Sequence, residues 1–392
     1  METERPSPRF SAIDVWSPSE ILDAMVEGQF AAVAAVHAAR PAIERAALAV
    51  EQRLVDGGRL VYAGAGTSGR LAVQDGAELI PTFSWPRDRL LLFIAGGQEA
   101  LIRAVEGAED EIDQAIGLVR RHELDANDVM IAVAASGTTS FTVACLRSAK
   151  ERGALTIGIA NNRDTPLLEL AEHPIWLNTG SETIAGSTRM KAGTAQRSAL
   201  VLLSSLVMIR LGRIYDGLMV DLQVVNKKLA LRSENILSQL TGCTNGAARD
   251  ALLRAEGSVK LALLVLEGCE VDEARAMLDR TGGRLRAAKA LAEARKSPLP
   301  RHSRERGCNP IGSAENGGEI LSDYERCHRS ATTHGRTKRR IQMGFLQRFR
   351  ENRWFLATRS KRRQLDYILE SGNPGPEAAT AALDPRFRRG DE

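Results

Sequence analysis

Residues Gly57–Phe83, GGRLVYAGAGTSGRLAVQDGAELIPTF, join a short apolar run to a glycine turn and then to a helical stretch that carries a carboxylate. Leu60 to Ala63, preceded by Gly57-Gly58, has the pattern of a buried parallel strand. Gly64, Gly66 and Gly69 let the backbone turn sharply into the next helix. A turn of that kind aims backbone N–H groups and the positive end of a helix dipole at one point, where an anion is welcome. Thr67 and Ser68 add two hydroxyls at that point.

Gly64-x-Gly66-x-x-Gly69 also matches the dinucleotide fingerprint. That reading calls for an acidic residue about 20 positions on, at the end of the second strand, to hold a ribose. The next apolar run, Leu90 to Ala95, ends instead in Gly96-Gly97-Gln98. A phosphate without a ribose suits the chain better.

Outward from this corner, strands and helices alternate. Strands are predicted at Leu90–Ala95, Val129–Ala134 and Leu155–Ala160, with helices from about Glu99 to Leu118 and from about Ser140 to Arg152. The alternation predicts an α/β fold with a parallel sheet covered by helices on both faces. Before it, Ser19–Arg53 reads as helical, with Ser17 and Ser19 as caps and Pro41 as a break between two helices. After it come an apolar helix at Ser198–Leu211 and helical stretches at Val220–Gln239, Thr244–Leu253, Gly257–Leu266 and Val271–Leu278.

Two further loops repeat the chemistry of the first. Ser136-Gly137-Thr138-Thr139-Ser140 follows a strand, and Gly186, Ser187, Thr188, Arg189 and Lys191 lead into the long apolar helix. Any one of them alone reads as helix capping. Three that share one edge of a sheet predict a common phosphate and sugar site.

Glu78 stands in an otherwise apolar segment, Ala77-Glu78-Leu79-Ile80-Pro81, where an environment that raises its pKa would suit it to general acid–base work. Glu106 and Glu109, three apart in VEGAEDE, read by themselves as a solvated helix face.

Composition bounds the rest. At 392 residues with 43% apolar residues, the chain can build a large core. Five cysteines, Cys145, Cys243, Cys269, Cys308 and Cys327, are odd in number and lack metal-ligand spacing, so reduced thiols and no metal site are expected. METERPSPRF carries no basic-then-apolar signal, and no uninterrupted apolar run approaches the ~20 residues that span a bilayer. A cytoplasmic protein without a membrane partner is therefore expected. The net charge of +4 divides near Lys296: residues 1–296 hold 34 Lys and Arg against 37 Asp and Glu, residues 297–392 hold 19 against 12. The body thus gives no electrostatic reason to expect a specific nucleic-acid partner.

GAGTSGRLAVQDGAELIPTF, AGGQEALIRAVEGAED and ETIAGSTRMKAGTAQRSA followed by LMVDLQ resemble the N-acetylmuramic acid 6-phosphate etherases, members of the sugar isomerase (SIS) superfamily related to the glucokinase regulatory protein. The similarity runs over about residues 10–296. It implies a SIS-type sheet, cleavage of a lactyl ether by elimination and hydration, neither metal nor organic cofactor, and a homodimer. It also places the family's catalytic glutamates on Glu78 and Glu109, which changes the reading of Glu109. Phosphate contacts fall by the same resemblance on Thr67, Ser68, Ser136 and Thr139, with Arg189 and Lys191 toward the sugar or its charge. Departures are VQDGAELIPTFSW where the family commonly has LDASECPPTFG, and Thr138 where arginine is frequent. A regulatory relative that binds sugar phosphate without turnover is the alternative, and the presence of both glutamates argues against it.

The expected division is an N-terminal helical segment at 1–56, the SIS domain at 57–215, a helical module at 216–296 and a basic tail at 297–392. The tail matches nothing in the family and shows no sustained apolar period, so little stable core is expected of it. Its RERGCNP, ESGNPG and LDPRFRRGDE resemble translated intergenic repeat DNA.

Overall fold

The computed structural model describes residues 1–222 and 227–296. Part of the stretch Val220–Gln239 and the whole of the tail, with Cys308 and Cys327, lie outside the described residues.

Five parallel strands form the main sheet: β1 (Leu60–Gly64), β2 (Leu90–Ile94), β3 (Val129–Val133), β4 (Leu155–Ala160) and β5 (His173–Trp176), in the order β2-β1-β3-β4-β5. The first four match the sequence expectation to within a residue. β5 was not expected, because its four residues alternate between exposed and buried at the sheet edge and give no apolar run. β1, β3 and β4 are buried along their whole length, which is why they read as continuous apolar stretches.

Two cores flank the sheet. On one face α1 (Pro18–Val55), α2 (Gly66–Phe83) and α6 (Lys191–Arg210) pack over Tyr62, Ile131 and Ile157. On the other, α3 (Ile112–Arg121), α4 (Ser140–Glu151) and α5 (Pro166–Leu170) cover Val61, Met130 and Ala132. The expected α/β sandwich is therefore present.

Three expectations are corrected. First, Pro41 does not break α1. The Ser17 side chain and Glu20 form a reciprocal capping box at its start, and the helix continues through the proline to Val55. An interior proline costs a helix about 3 kcal/mol; here Ala32, Ala39, Ala46 and Ala47 are buried on both sides of it in the shared core with α6, and that packing holds the helix together. Second, the helix expected over Glu99–Leu118 starts only at Ile112. The segment before it holds two 3-10 turns, Gly97–Leu101 and Ala108–Asp110, because Gly96, Gly97 and Gly107 take positive φ. Third, α1 and α6 are long and apolar enough by average hydropathy to cross a membrane. Neither holds an uninterrupted apolar run of that length, because polar and charged side chains are scattered along both. They pack along one another and on the sheet.

Residues beyond the sheet open with a two-strand hairpin, β6 (Ile214–Tyr215) and β7 (Leu218–Met219), turning at Asp216-Gly217, both at positive φ. Helices α7 (Lys227–Thr241), α8 (Asn245–Arg254), α9 (Val259–Leu266), α10 (Val271–Arg280) and α11 (Leu285–Lys296) enclose a third core around Leu237, Ala262, Leu263 and Leu285. Glu51 of α1 ties this module to the sheet layer: it pairs with Arg210 of α6 and, at 3.3 Å, with Arg284.

Candidate active site

The strand order reverses between β1 and β3, so the helices that follow them, α2 and α4, begin side by side at the C-terminal edge of the sheet. Ligands of open α/β sheets bind in the crevice at such a switch point. The three glycines of the first turn have separable duties. Gly66 takes φ +53, whereas a Cβ on Gly64 would stand 2.8 Å from Gly69 Cα and one on Gly69 would stand 2.7 Å from Gly64 O. Gly66 thus makes the turn, and the other two let α2 start directly against the strand.

The cap residues of α2 and α4 are Ala65 and Thr139, and neither side chain accepts a hydrogen bond from its helix. First-turn N–H groups of both helices are therefore not satisfied by side-chain caps. The hydroxyls of the loops are likewise not spent on capping: Ser136 Oγ lies 3.3 Å from Thr139 Oγ1 and accepts from Thr138 N at 3.2 Å, which shapes the second loop.

A cleft of about 480 Å³ opens over these two helix starts. Thr67, Ser68, Ser136, Thr139 and Glu109 all line it, together with Gly66, Thr138, Ser140, Gly186, Thr188, Asp110 and Glu4. Its described lining holds three acidic side chains and no Lys or Arg. An anion here would be held by backbone N–H groups, hydroxyls and two helix dipoles.

Three expected site residues lie elsewhere. Glu78 is exposed, because α2 turns Ala72, Asp75, Gly76 and Leu79 inward and leaves Glu78 on the opposite side. The buried carboxylate of this helix is Asp75, which accepts from Tyr62 Oη at 3.0 Å and Ser204 Oγ at 3.3 Å and lies 3.6 Å from Arg197. Burial pushes the Asp75 carboxyl above its usual range, opposed by those two hydrogen bonds and by Arg197. The apolar setting read around Glu78 belongs to this neighbour.

Lys191 is buried away from the cleft lining, its Cδ 3.7 Å from where a Cβ on Gly28 of α1 would stand. Burial lowers its pKa and the charge of Glu182 opposes this. Glu182, itself buried, accepts from Lys191 N at 3.2 Å and Ala192 N at 2.8 Å, and so caps α6. Arg189 is exposed and does not line the cleft, although Gly186 and Thr188 of the same loop do.

Gly186, Thr188, Thr138 and Ser140 stand in loops already singled out by composition. Asp110 is adjacent to Glu109. Glu4 lies 60 residues before the glycine turn, and no sequence pattern links it to the site.

Among the described residues, no group of three or more His, Cys, Asp or Glu side chains could hold a metal ion. Cys145, Cys243 and Cys269 are free thiols.

The chain matches the family model of the SIS domain over residues 110–206, that of the glucokinase regulatory protein N-terminal SIS domain over 42–150, and that of the C-terminal lid domain of glucokinase regulatory protein over 216–260. It is 47% identical over 295 residues to an N-acetylmuramic acid 6-phosphate etherase of Deinococcus radiodurans, covering 74% of this chain and 96% of that protein. Proteins of the same name from Halalkalibacterium halodurans and Streptomyces avermitilis are each 42% identical, over 289 and 294 residues, covering 74% of this chain and 97% and 94% of theirs. With its SIS-type sheet and hydroxyl-lined cleft, this chain belongs to the N-acetylmuramic acid 6-phosphate etherase family.

Proposed function

We propose that the chain cleaves the D-lactyl ether of N-acetylmuramic acid 6-phosphate, giving N-acetylglucosamine 6-phosphate and D-lactate, as a cytoplasmic enzyme of cell-wall sugar recycling. The observation that carries this reading is the cleft in which two helix starts without side-chain caps and four hydroxyls, those of Thr67, Ser68, Ser136 and Thr139, surround the same space as the Glu109 carboxylate. The phosphate sits on the hydroxyls and N–H groups.

Opening of the sugar ring exposes an aldehyde at C1, which makes the C2 proton acidic enough for a carboxylate base. Glu109 takes that proton. The C3–O bond then breaks, and the departing lactate oxygen needs a proton, which we assign to Glu78. Water, deprotonated by the same carboxylate, adds to C3 of the unsaturated aldehyde while C2 regains a proton, so atoms and charge balance.

Glu78 is outside the cleft of its own chain, and a homodimer supplies the missing group from a second copy. Two features support the dimer. Leu22, Val26, Phe30 and Val33 run along one face of α1 with 62, 52, 70 and 60% of their surface exposed, an unpartnered apolar stripe at helical spacing. Glu78 itself is exposed on the outer side of α2, without an ion-pair or hydrogen-bond partner among the described residues.

The test is to incubate the purified chain with N-acetylmuramic acid 6-phosphate and assay D-lactate. A chain that binds N-acetylglucosamine 6-phosphate but releases no lactate would sink the etherase reading.

A further inference from the structure

We propose that Glu4 is a specificity-determining residue of the cleft, accepting hydrogen bonds from the sugar's hydroxyl or amide N–H donors. This deepens the function proposed above and rests on its reading of the cleft as a sugar-phosphate site.

The N-terminal segment is latched onto the C-terminal edge of the sheet by Thr3, which is fully buried. Thr3 N donates to Asn162 Oδ1 at 3.2 Å, and Asn162 Nδ2 donates back to Thr3 Oγ1 and to Ala135 O, both at 2.9 Å. On the other side Gly186 N donates to Thr3 O at 3.0 Å. Asn162 follows β4, Ala135 follows β3 and Gly186 belongs to the third loop, so Thr3 is fastened directly to two of the segments that shape the site and, through Asn162, to a third. Asn162 is itself buried and spends its side chain on this latch.

The next residue is placed by that anchoring. Glu4 lines the cleft beside Thr67, Ser136 and Thr188, and its Oε2 lies 2.8 Å from where a Cβ on Gly186 would stand. Because residue 186 is glycine, no Cβ intrudes on the space this carboxylate occupies. The neighbouring Glu2 is taken up by Ser181 and Arg5. The Glu4 carboxylate has no ion-pair or hydrogen-bond partner among the described residues.

A carboxylate accepts hydrogen bonds and donates none. Facing a substrate that carries a phosphate dianion and a lactyl carboxylate, it is repulsive unless it meets a donor. The donors on such a substrate are the sugar hydroxyls and the amide N–H. Glu4 therefore favours ligands with a sugar body over phosphate alone, and its backbone anchor holds it in register with the hydroxyl-lined end.

The experiment is calorimetric titration of the full chain, wild type and Glu4→Ala, with N-acetylglucosamine 6-phosphate and separately with inorganic phosphate. Losing a hydrogen bond to a charged group should weaken the sugar phosphate by about tenfold or more. Inorganic phosphate should bind as well as before, or better, once a negative charge has left the cleft. Glu4 is exposed, so the variant should fold, and unfolding midpoints of the two proteins check this. Unchanged sugar-phosphate affinity would overturn the proposal. So would an equal loss for both ligands, which would make the segment a prop for the phosphate loops. Lactate assays of the same protein preparations, supplied with N-acetylmuramic acid 6-phosphate, separate the two readings. Wild-type protein that binds the sugar phosphate without releasing lactate refutes turnover and leaves the Glu4 comparison to be read, while wild-type protein that binds neither refutes both.

Discussion

Glu78 lies eleven residues after Thr67 on the unbroken helix α2, which at 1.5 Å per residue separates them by about 16 Å along the axis. Thr67 is at the cleft and Glu78 three turns below it, on the exposed side. The Glu78 carboxylate is thus set well apart from the proposed phosphate seat at Thr67 of the same chain. Mixing unfolded Glu78→Ala and Glu109→Ala proteins and refolding them together should then restore activity. Half of randomly paired dimers are mixed, and each has one complete site, so about a quarter of wild-type turnover is expected. If the mixture remains as inactive as its components, the two glutamates do not serve one site across a dimer.

Glu109 is assigned to the C2 proton. Glu109→Gln should slow exchange of that proton with solvent deuterium by about 10²-fold or more, the usual contribution of a general base. Sugar-phosphate affinity should change by much less. Undiminished exchange, followed by NMR, would remove Glu109 from this role.

The same substitution at two glycines should have opposite signs. Gly69→Ala drives a Cβ to 2.7 Å from Gly64 O and 3.0 Å from Ile94 Cγ1, and should cost about 1–3 kcal/mol of stability along with sugar-phosphate affinity. Gly117, inside α3, has open space where a Cβ would go, so Gly117→Ala should stabilise by about 0.5–1 kcal/mol. Urea unfolding of both variants checks the contrast; equal effects would mean that the approach of α2 to β1 is not as close as described.

Asp128 locks the N-terminal ends of β1 and β3. It accepts from Arg59 Nε at 2.9 Å, Arg59 Nη2 at 2.6 Å, Arg59 N at 3.1 Å and Asp125 N at 3.0 Å. Burial by itself would raise the carboxyl, but these bonds and the Arg59 charge hold it below its usual value. A depressed folded pKa contributes stability above the unfolded value, near 3.9, and that contribution is lost as pH falls through the folded value. Asp128→Asn should therefore cost about 1–3 kcal/mol at pH 7, with the difference from wild type closing in strong acid. A deficit that does not change with pH would place the effect outside this ionisation.

A chain ending at Lys296 should fold and turn over like the full chain. The cleft is built from residues between Glu4 and Thr188, and α11 completes the third core with Leu285, Ala288 and Ala292. Residues 297–392, with 19 basic against 12 acidic side chains, should add salt-sensitive adsorption to nucleic acid that is lost on truncation. Loss of most activity or aggregation of the shorter chain would show the tail to be an integrated part of the enzyme.

The sequence by itself determined four of the five strands and the small, hydroxyl-rich loops that follow β1 and β3. Buried parallel strands need unbroken apolar runs, and a strand that meets a helix at close quarters needs glycine; both requirements act over a few neighbouring residues, so Leu60–Gly69 and Val129–Thr139 display them directly. Tertiary structure decided what depends on partners distant in the chain. Whether Asp75 or Glu78 turns inward depends on where Tyr62, Ser204 and Arg197 sit around α2. Pro41 stays inside a helix because of the core that α1 shares with α6. Glu4 enters the cleft because Asn162 and Gly186, more than 150 residues away, bind Thr3. A hydrogen bond between such residues leaves no periodicity in either segment, and it exists only once the sheet has brought its loop ends to one edge.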